Sequence, residues 1–404
     1  MADALRALPA RRILAHVADA ARRWRDADFP PRVRVTAEIE RRLGYSTPVV
    51  DYALDRLFGE IRTETLEAAI AAELGTLDAL DGMVERRGAP AAWARGVDRV
   101  VIVSSDTTIG VALFPAVLAL CAKCEVTVKD RNDALVSAFF ASLADEHPAF
   151  ARAAEAYPWP GGEDPAEAAL FAQAGVVVAF GGDEAMRTIR ARCGAETRFV
   201  PFGHRTSVGR LTRGQCATID DALADRIVRD ALLYDGEGCL SLHALFVDPA
   251  AGDAERIATV LGAACERVAL EFPGGERDVR AAAGTAAYRN LGTFRAAAGR
   301  GTVLRRADAT LVLDPPLDDV PPLLPRVLPV FTGDDDALAA YVARHGLPVQ
   351  ALGVVETTRD ACALASRIGA VRVAPFGTMQ SPPLAGHHGG APRIADFVRW
   401  IDGA

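Results

Sequence analysis

A cysteine flanked by glycines marks the segment of this sequence best suited to chemistry. Residues 235–247 read Asp-Gly-Glu-Gly-Cys-Leu-Ser-Leu-His-Ala-Leu-Phe-Val, with the cysteine at position 239 and a predicted helix-to-strand junction around it. Small neighbours let a substrate approach the thiol closely, and a thiolate is an effective nucleophile towards acyl groups. A lone cysteine is also a common small core residue, so the segment alone leaves both interpretations of Cys239 open.

A pair of glycines, Gly181 and Gly182, lies in a turn suited to binding phosphate. The apolar run Val176–Phe180 predicts a strand before the pair, and a helix-like stretch begins after it. Free backbone amides at a helix N-terminus suit a pyrophosphate. We expect Asp183 to cap this helix rather than to meet a phosphate, so the glycines are the candidate binding residues.

The spacing of histidines and cysteines does not indicate a metal site. His387 and His388 stand in a glycine-rich turn without a partnered cysteine or carboxylate, which is a poor zinc signature. Cys121 and Cys124 form a single CxxC pair, which favours a buried helix end because no second pair follows.

Strands and helices alternate along most of the chain. Residues 1 to about 90 have apolar positions at three- and four-residue spacing, which predicts helices. After Val97, short apolar runs alternate with alanine-rich helical stretches, and a second such block follows a predicted helix over Thr218–Leu233. This pattern predicts an α/β fold with parallel sheets in two lobes and a cleft between them. The predicted strands are Arg99–Val103, Glu125–Val128, Val176–Phe180, Arg198–Phe202, Ala244–Val247, Val303–Leu304, Thr310–Leu313, Val327–Phe331, Ala351–Val355 and Val371–Ala374.

Composition excludes several classes of protein. The 404 residues are 50% hydrophobic and 24% charged, with a formal charge of −8, which is a globular balance without a basic field for nucleic acid. Apolar runs fall short of the roughly 18 to 20 residues of a spanning helix, and the start of the chain lacks the apolar core of a signal peptide. Seven cysteines do not suggest a disulfide framework. We therefore expect a cytoplasmic protein that has reduced thiols and no nucleic-acid partner.

The cysteine segment resembles a known motif, and other segments follow in the matching order. Gly236-Glu-Gly-Cys239 is similar to the Gly-Gln-x-Cys nucleophile motif of the aldehyde dehydrogenase superfamily. The segment 99–110 resembles the superfamily's strand and loop that carry the oxyanion-hole asparagine. The segment 124–129 resembles the strand that ends in the lysine that binds the adenosine ribose of the cofactor. The segment 176–189 resembles the superfamily's element of strand, glycine turn and helix. The resemblance implies NADPH or NADH as cofactor, bound by Ser104, Ser105, Lys129, Gly181 and Gly182. Lys129 is one of only two lysines in the chain, and arginine cannot copy a lysine at a tight site.

Two departures from dehydrogenases change the implied reaction. Pro201 stands where they carry the general-base glutamate, and residues 323–330 lack their ribose-binding glutamate. Without the base that activates water, an acyl-enzyme should persist for another acceptor or a hydride. His204 lies in the altered segment and is a candidate proton donor, the alternative being a core or interface histidine. His243 is a second nearby histidine.

Asp106 is a third departure, because an ionised aspartate cannot donate a hydrogen bond to an oxyanion. Either Ser105 or Thr107 supplies that donor, or Asp106 binds something else.

The two missing glutamates favour the acyl-CoA reductases, and further segments along the chain resemble the fatty-acid reductases of the bacterial bioluminescence systems, a family of acyl-CoA reductases. The supporting segments are 43–46, 73–75, 375–377, 388–390 and 393–402. The resemblance implies an aldehyde dehydrogenase-like fold with two Rossmann-type lobes and a helical N-terminal region. It implies reduction of an acyl-CoA or acyl-carrier substrate to an aldehyde through acyl-Cys239, with a possible acyl-donating partner enzyme. An NAD(P)-dependent aldehyde dehydrogenase, a glutamyl-phosphate reductase relative and a catalytically silent dehydrogenase-fold partner remain alternatives.

The same resemblance divides the chain into four segments. We expect a helical region over 1–90 packed on the nucleotide lobe, an NAD(P)-binding lobe over 91–225 and a catalytic thiol lobe over 226–380. The segment 381–404 contains glycine and histidine and then becomes helix-like. We expect it to serve in docking or oligomerisation, and we expect the chain to form a homo-oligomer.

Overall fold

The computed structural model describes residues 3–105, 108–130, 134–157, 165–276, 279–318, 320 and 323–403. The chain forms two compact units. The first comprises Met1–Leu43, Val50–Gly203 and Pro383–Ala404, and the second comprises Gly44–Val49 and His204–Pro382. Their mixed helices and largely parallel sheets confirm the predicted α/β class.

Helices and strands alternate as follows. The helices are α1 (Asp3–Arg6), α2 (Ala10–Arg23), α3 (Pro30–Leu43), α4 (Thr47–Glu60), α5 (Thr63–Leu74), α6 (Leu113–Cys121), α7 (Leu135–Glu146), α8 (Phe150–Ala153), α9 (Pro165–Gln173), α10 (Asp183–Arg192), α11 (Arg213–Ala217), α12 (Asp221–Leu232), α13 (Asp253–Glu271), α14 (Val279–Ala297), α15 (Asp335–His345) and α16 (Arg359–Arg367). The strands are β1 (Val84–Arg86), β2 (Ala89–Gly96), β3 (Arg99–Val103), β4 (Glu125–Lys129), β5 (Ala154–Tyr157), β6 (Val176–Phe180), β7 (Arg198–Phe202), β8 (Thr206–Leu211), β9 (Leu242–Val247), β10 (Thr302–Arg306), β11 (Ala309–Leu313), β12 (Val327–Thr332), β13 (Val349–Val354), β14 (Arg372–Pro375) and β15 (Val398–Asp402).

A parallel sheet forms the centre of the first unit, with strand order β5-β4-β3-β6-β7. Every residue of β6 is buried, as expected for an apolar strand that is covered on both faces. The chain leaves β3 for β4 on one side and later enters β6 on the other. The carboxyl ends of β3 and β6 therefore meet where the strand order reverses, which is the usual ligand position in such sheets.

The N-terminal helices pack within the same unit. Trp24, which follows α2, is fully buried and stacks on Phe58 of α4 with 4.9 Å between ring centroids. Its indole Nε1 donates a hydrogen bond to the Ser142 hydroxyl of α7 over 3.0 Å. A buried aromatic side chain with a satisfied polar atom joins these helices to the helices that cover the sheet.

A small antiparallel sheet corrects two predictions at the ends of the sequence. Strands β1 and β2 lie where the helical region and its boundary were predicted, and β15 lies where the tail was predicted to be helical. The strand order is β1-β2-β15, with Trp400 opposite Ala94, and the Arg86 guanidinium lies 4.8 Å from the centroid of the Trp400 ring. Pairing between distant segments overrides the local helical pattern of the tail.

The second unit contains a seven-stranded sheet with order β10-β11-β12-β9-β8-β13-β14, parallel except for β10 against β11. Strand β8, which the sequence analysis did not predict, lies inside this sheet between β9 and β13. The longer segment of the second unit runs from His204 to Pro382, whereas the sequence analysis predicts a catalytic lobe over 226–380. Gly209 interrupts the apolar pattern of β8, so the strand is not recognisable from the sequence. A Cβ at this position would lie 2.8 Å from both Leu242 Cδ1 and Phe376 Cε1, so the close packing requires glycine.

Candidate active site

The loop between α12 and β9, residues 233–241, carries Cys239 and is called here the cysteine loop. Tyr234, Asp235 and Gly236 have φ values of 55°, 53° and 74°. Two non-glycine residues in this left-handed region persist only where the surroundings hold them. The loop thus has an unusual backbone shape that its neighbours must stabilise.

Arg326 supplies much of that support from the end of the chain segment before β12. Its side chain is 0% exposed. Its backbone N–H donates to the Asp235 carbonyl over 2.9 Å, and its guanidinium contacts the carboxylates of Asp235 and Asp308 at 3.3 and 2.8 Å. Gly275 N–H donates a further bond to the Asp235 carboxylate over 3.2 Å. This buried ion pair fixes the start of the cysteine loop.

Cys239 is exposed, so reagents and substrates have access to the residue. Protein atoms packed around the sulfur nevertheless raise the pKa of the Cys239 thiol by desolvation, while its own N–H, the Arg205 charge and the Leu240 N–H lower it. The free thiol is therefore mainly protonated at neutral pH, and the two amides can stabilise negative charge that develops at the sulfur.

Ser207 of β8 connects the cysteine loop to the sheet. It is 0% exposed, and its hydroxyl donates to the Cys239 carbonyl over 2.7 Å while accepting from the Ala351 N–H over 3.1 Å. The Ser207 N–H donates to His243 Nδ1 over 2.9 Å. Sequence analysis missed Ser207 because its strand was itself not predicted.

His243, on β9, is a neutral imidazole at physiological pH. Burial, followed by the His204 charge, lowers the pKa of His243 to about 4. Because Nδ1 accepts a hydrogen bond, the neutral ring carries its proton on Nε2. Nε2 is buried and makes no hydrogen bond to the described residues. His204, just before β8, is exposed, so the structure brings both predicted histidines into the unit that contains Cys239.

Gln380 holds the other side of the cysteine loop. Its side-chain carbonyl accepts from the Ser241 hydroxyl over 3.1 Å. Its Nε2 donates to the carbonyls of Asp230 and Leu233 over 2.9 and 3.1 Å. Sequence reasoning offered no signal for this residue, because its partners lie at least 139 positions away along the chain.

The predicted cofactor residues gather at the carboxyl edge of the first unit's sheet. Ser104 follows β3, Lys129 ends β4 and Gly181 follows β6, and these three strands are neighbours. The Ser104 N–H donates to the Lys129 carbonyl over 3.0 Å. Ser105 is half-buried beside Ser104. All five predicted residues, including Gly182, thus lie at one edge of the sheet.

Lys129 has a partner that the sequence did not reveal. Its Nζ lies 2.5 Å from a Glu167 oxygen, with both side chains 4% exposed, and the second Glu167 oxygen pairs with Arg192 at 3.1 Å. In this structure the ammonium is therefore buried in an ion pair rather than presented to solvent.

The glycine turn fits a nucleotide phosphate in its shape. Gly181 has a φ of 153°, and no atom lies within 4 Å of a Cβ built on Gly182, so an anion can approach the backbone closely. Gly182, not Asp183, is the N-cap of α10, and Asp183 is the first helical residue. Asp183 and Glu184 in the first turn oppose an anion there, so the fit rests on the glycine backbone and the strand-order reversal.

The remaining expectations concern the oxyanion donor, a metal site and a membrane-spanning helix. Asp106 and Thr107 lie outside the described residues. Within the described ranges, no three His, Cys, Asp or Glu side chains are grouped to hold a metal ion. In that same part of the chain, no helix has the length and apolar character needed to cross a membrane.

Comparison with solved structures shows the fold. Proline utilization A from Bradyrhizobium japonicum is similar with a TM-score of 0.72 at 18% identity, covering 99% of this chain but 43% of that chain. A putative aldehyde dehydrogenase from Burkholderia cenocepacia has a TM-score of 0.70 at 14% identity, covering 98% of this chain and 87% of that chain. Another from Anabaena variabilis has a TM-score of 0.70 at 14% identity, covering 99% and 92%.

Comparison with protein families shows the family. A search of curated proteins finds no significant match. A family model described as acyl-CoA reductase (LuxC) matches residues 5–400, nearly the whole chain, which confirms the resemblance seen in the sequence. The chain therefore belongs to the acyl-CoA reductase (LuxC) family of oxidoreductases and has the fold of the aldehyde dehydrogenases.

Proposed function

We propose that this protein reduces an acyl thioester, such as acyl-CoA, to an aldehyde through a covalent acyl-Cys239 intermediate. The observation that carries the proposal is an exposed cysteine on a loop held from both sides, with two backbone amides able to lower its thiol pKa. An accessible thiol with nearby fixed donors is the arrangement that acyl transfer requires.

In the first half-reaction, the Cys239 thiolate attacks the carbonyl carbon of the acyl thioester. A C–S bond to Cys239 forms, the C–S bond to coenzyme A breaks, and the proton given up by Cys239 is balanced by protonation of the departing thiolate. The Cys239 amide stabilises the oxyanion of the tetrahedral intermediate. We propose exposed His204 as the group that carries the proton.

In the second half-reaction, NADPH or NADH supplies the hydride when bound. The hydride and one proton convert the acyl-Cys239 thioester to the aldehyde and the free thiol. Pro201 on β7 is exposed and has no side-chain atom that accepts a proton. At that position the chain cannot activate water to hydrolyse the thioester, which favours reduction.

The cofactor site is proposed at the carboxyl edge described above. Gly181 and Gly182 bind the pyrophosphate through their backbone, while Ser104 and Ser105 contribute hydroxyl groups beside it. Lys129 stays in the proposal as the ribose-binding residue, and its use requires the pair with Glu167 to open.

We also propose that the protein self-associates. Strand β15 lies at the edge of its three-stranded sheet, and Trp400 and Ile401 on it are exposed. An exposed apolar edge strand is a surface that proteins commonly cover.

The proposal includes three sources of the acyl group. The group arrives as a coenzyme A thioester, as a thioester of a carrier protein, or by transfer from a partner enzyme.

Aldehyde formation and NADPH consumption with a series of acyl-CoA chain lengths test this proposal. Cys239→Ala should abolish both. Cys362→Ala is the matched control, since Cys362 is also exposed but lies on α16, and this variant should keep full activity. Retained reduction in Cys239→Ala would contradict the proposal, and steady NAD-dependent aldehyde oxidation without coenzyme A would favour an ordinary aldehyde dehydrogenase.

A further inference from the structure

We propose that Ser207 is a positioning residue that aims the backbone N–H of Leu240 at the reacting centre of Cys239, where it acts as a second oxyanion donor. The inference rests on the proposed role of Cys239 as the nucleophile. It assigns a function to a buried hydroxyl that the mechanism above does not use.

The hydrogen bonds of Ser207 fix the direction of its hydroxyl proton. Its Oγ accepts the Ala351 N–H of β13 over 3.1 Å. A hydroxyl carries one proton and can accept as well as donate, and the bond from Ala351 uses an accepting position. The single proton is then directed to the Cys239 carbonyl, 2.7 Å away. Because Ser207 is 0% exposed, water does not compete for this contact.

Holding the Cys239 carbonyl also orients the next amide. The carbonyl of Cys239 and the N–H of Leu240 belong to one planar peptide group and point in opposite directions. The Leu240 nitrogen is bonded to the Cys239 carbonyl carbon, so covalent geometry keeps this N–H near the Cys239 side chain, and it lowers the pKa of the thiol. The sheet therefore holds this peptide plane in place through Ser207, before any substrate arrives.

The sequence indicates that this chain needs a second hydrogen-bond donor to the oxyanion of the tetrahedral intermediate. Asp106 belongs to the segment that resembles the strand and loop with the oxyanion-hole asparagine, and an ionised aspartate there cannot donate such a bond. The Cys239 N–H alone would give the oxyanion a single hydrogen bond, although a negatively charged oxygen can accept more than one. The Leu240 N–H supplies a preorganised donor in its place.

The test compares two side chains of the same shape at position 207. Ser207→Thr keeps the hydroxyl, whereas Ser207→Val replaces it with a methyl group, and both add the same bulk to β8. Ser142→Ala is the matched control, since Ser142 also carries a buried hydroxyl, 3% exposed, but lies on α7 of the first unit and contacts Trp24. Ser207→Ala repeats the comparison with a smaller side chain if the added bulk unfolds the protein.

The first readout is the rate of Cys239 alkylation by iodoacetamide as a function of pH, followed by mass spectrometry without any acyl substrate. Ser207→Val should shift the midpoint to higher pH, whereas Ser207→Thr and Ser142→Ala should match the unmodified protein. The second readout is acyl-CoA reduction. Ser207→Val should lower kcat by about tenfold to a hundredfold, below the roughly 10²–10³ for loss of a whole oxyanion donor, with the KM for NADPH unchanged.

The two readouts separate this inference from the proposed function. Equal alkylation profiles and equal kcat values for the Thr and Val variants would overturn the role of Ser207, even if the protein reduces acyl-CoA. A shifted alkylation profile in Ser207→Val, with no reduction of any acyl-CoA by the unmodified protein, would support the positioning role and contradict the proposed substrate.

Discussion

Asp230 is a buried carboxylic acid whose ionisation should make the stability of the second unit depend on pH. It lies on α12, is 2% exposed, and accepts the N–H groups of Gly377 and Met379 over 2.6 and 3.2 Å. Burial raises the pKa of Asp230 to about 7, although these two bonds and the charges of Arg229 and Arg372 act in the opposite direction.

The sign follows from comparing the folded and unfolded chains. An aspartate in an unfolded chain has a pKa near 3.9, so the folded protein binds this proton more tightly. The stability contributed by protonated Asp230 is fully present below about pH 3.9 and is lost as the pH rises through about 7. A difference of about three pKa units at 1.36 kcal/mol per unit corresponds to about 4 kcal/mol.

Urea unfolding of the unmodified protein and of Asp230→Asn between pH 4 and pH 8 measures this effect. Asparagine carries no titratable proton, so the difference in unfolding free energy, unmodified minus variant, should fall by about 4 kcal/mol over that range. Groups that titrate in both proteins, such as His243, cancel in the difference. Parallel pH profiles for the two proteins would refute the reasoning.

Four further substitutions test the packing of the second unit and the proposed phosphate site. Arg326→Leu leaves the carboxylate of Asp235 buried without its guanidinium partner and should lower the free energy of unfolding in urea by about 3–5 kcal/mol. The control Arg344→Leu breaks an exposed ion pair and should lower it by less than about 1 kcal/mol. Equal losses of stability would contradict the anchoring role of Arg326. Gly209→Ala brings a Cβ to 2.8 Å from two side-chain carbons and should lower the free energy of unfolding by about 1–3 kcal/mol. Gly182→Ala should leave Tm nearly unchanged but should weaken NADPH binding in a fluorescence titration. Unchanged NADPH affinity in Gly182→Ala would count against the proposed phosphate site.

The sequence predicts best those elements whose pattern is set locally. Strands β3, β6 and β7 have the predicted bounds, because each is a short, mainly apolar run that is recognisable from the local sequence. Strand β8 was missed because its glycine and arginine interrupt the apolar run. Strand β15 was missed because only pairing with β2 shows its structure.

In the candidate site too, some residues are recognisable from the local sequence and others only from contacts with distant segments. Cys239 could be proposed as the nucleophile from its glycine-flanked motif together with the family resemblance, and the five cofactor candidates from strand ends and the same resemblance. Ser207 and Arg326 could not, because their roles depend on partners far along the chain. The contact of Ser207 with Ala351 spans 144 positions, and that of Arg326 with Asp235 spans 91. No local pattern encodes such pairings.

Intact mass after incubation with acyl-CoA, without nucleotide, tests the central claim most directly. The account predicts one acyl adduct per chain that is absent in Cys239→Ala, present in Cys362→Ala, and released as aldehyde when NADPH is added. Failure of every acyl-CoA to form an adduct, while iodoacetamide still modifies Cys239, would contradict acyl-CoA as the donor. An adduct that persists in Cys239→Ala would contradict Cys239 as the nucleophile.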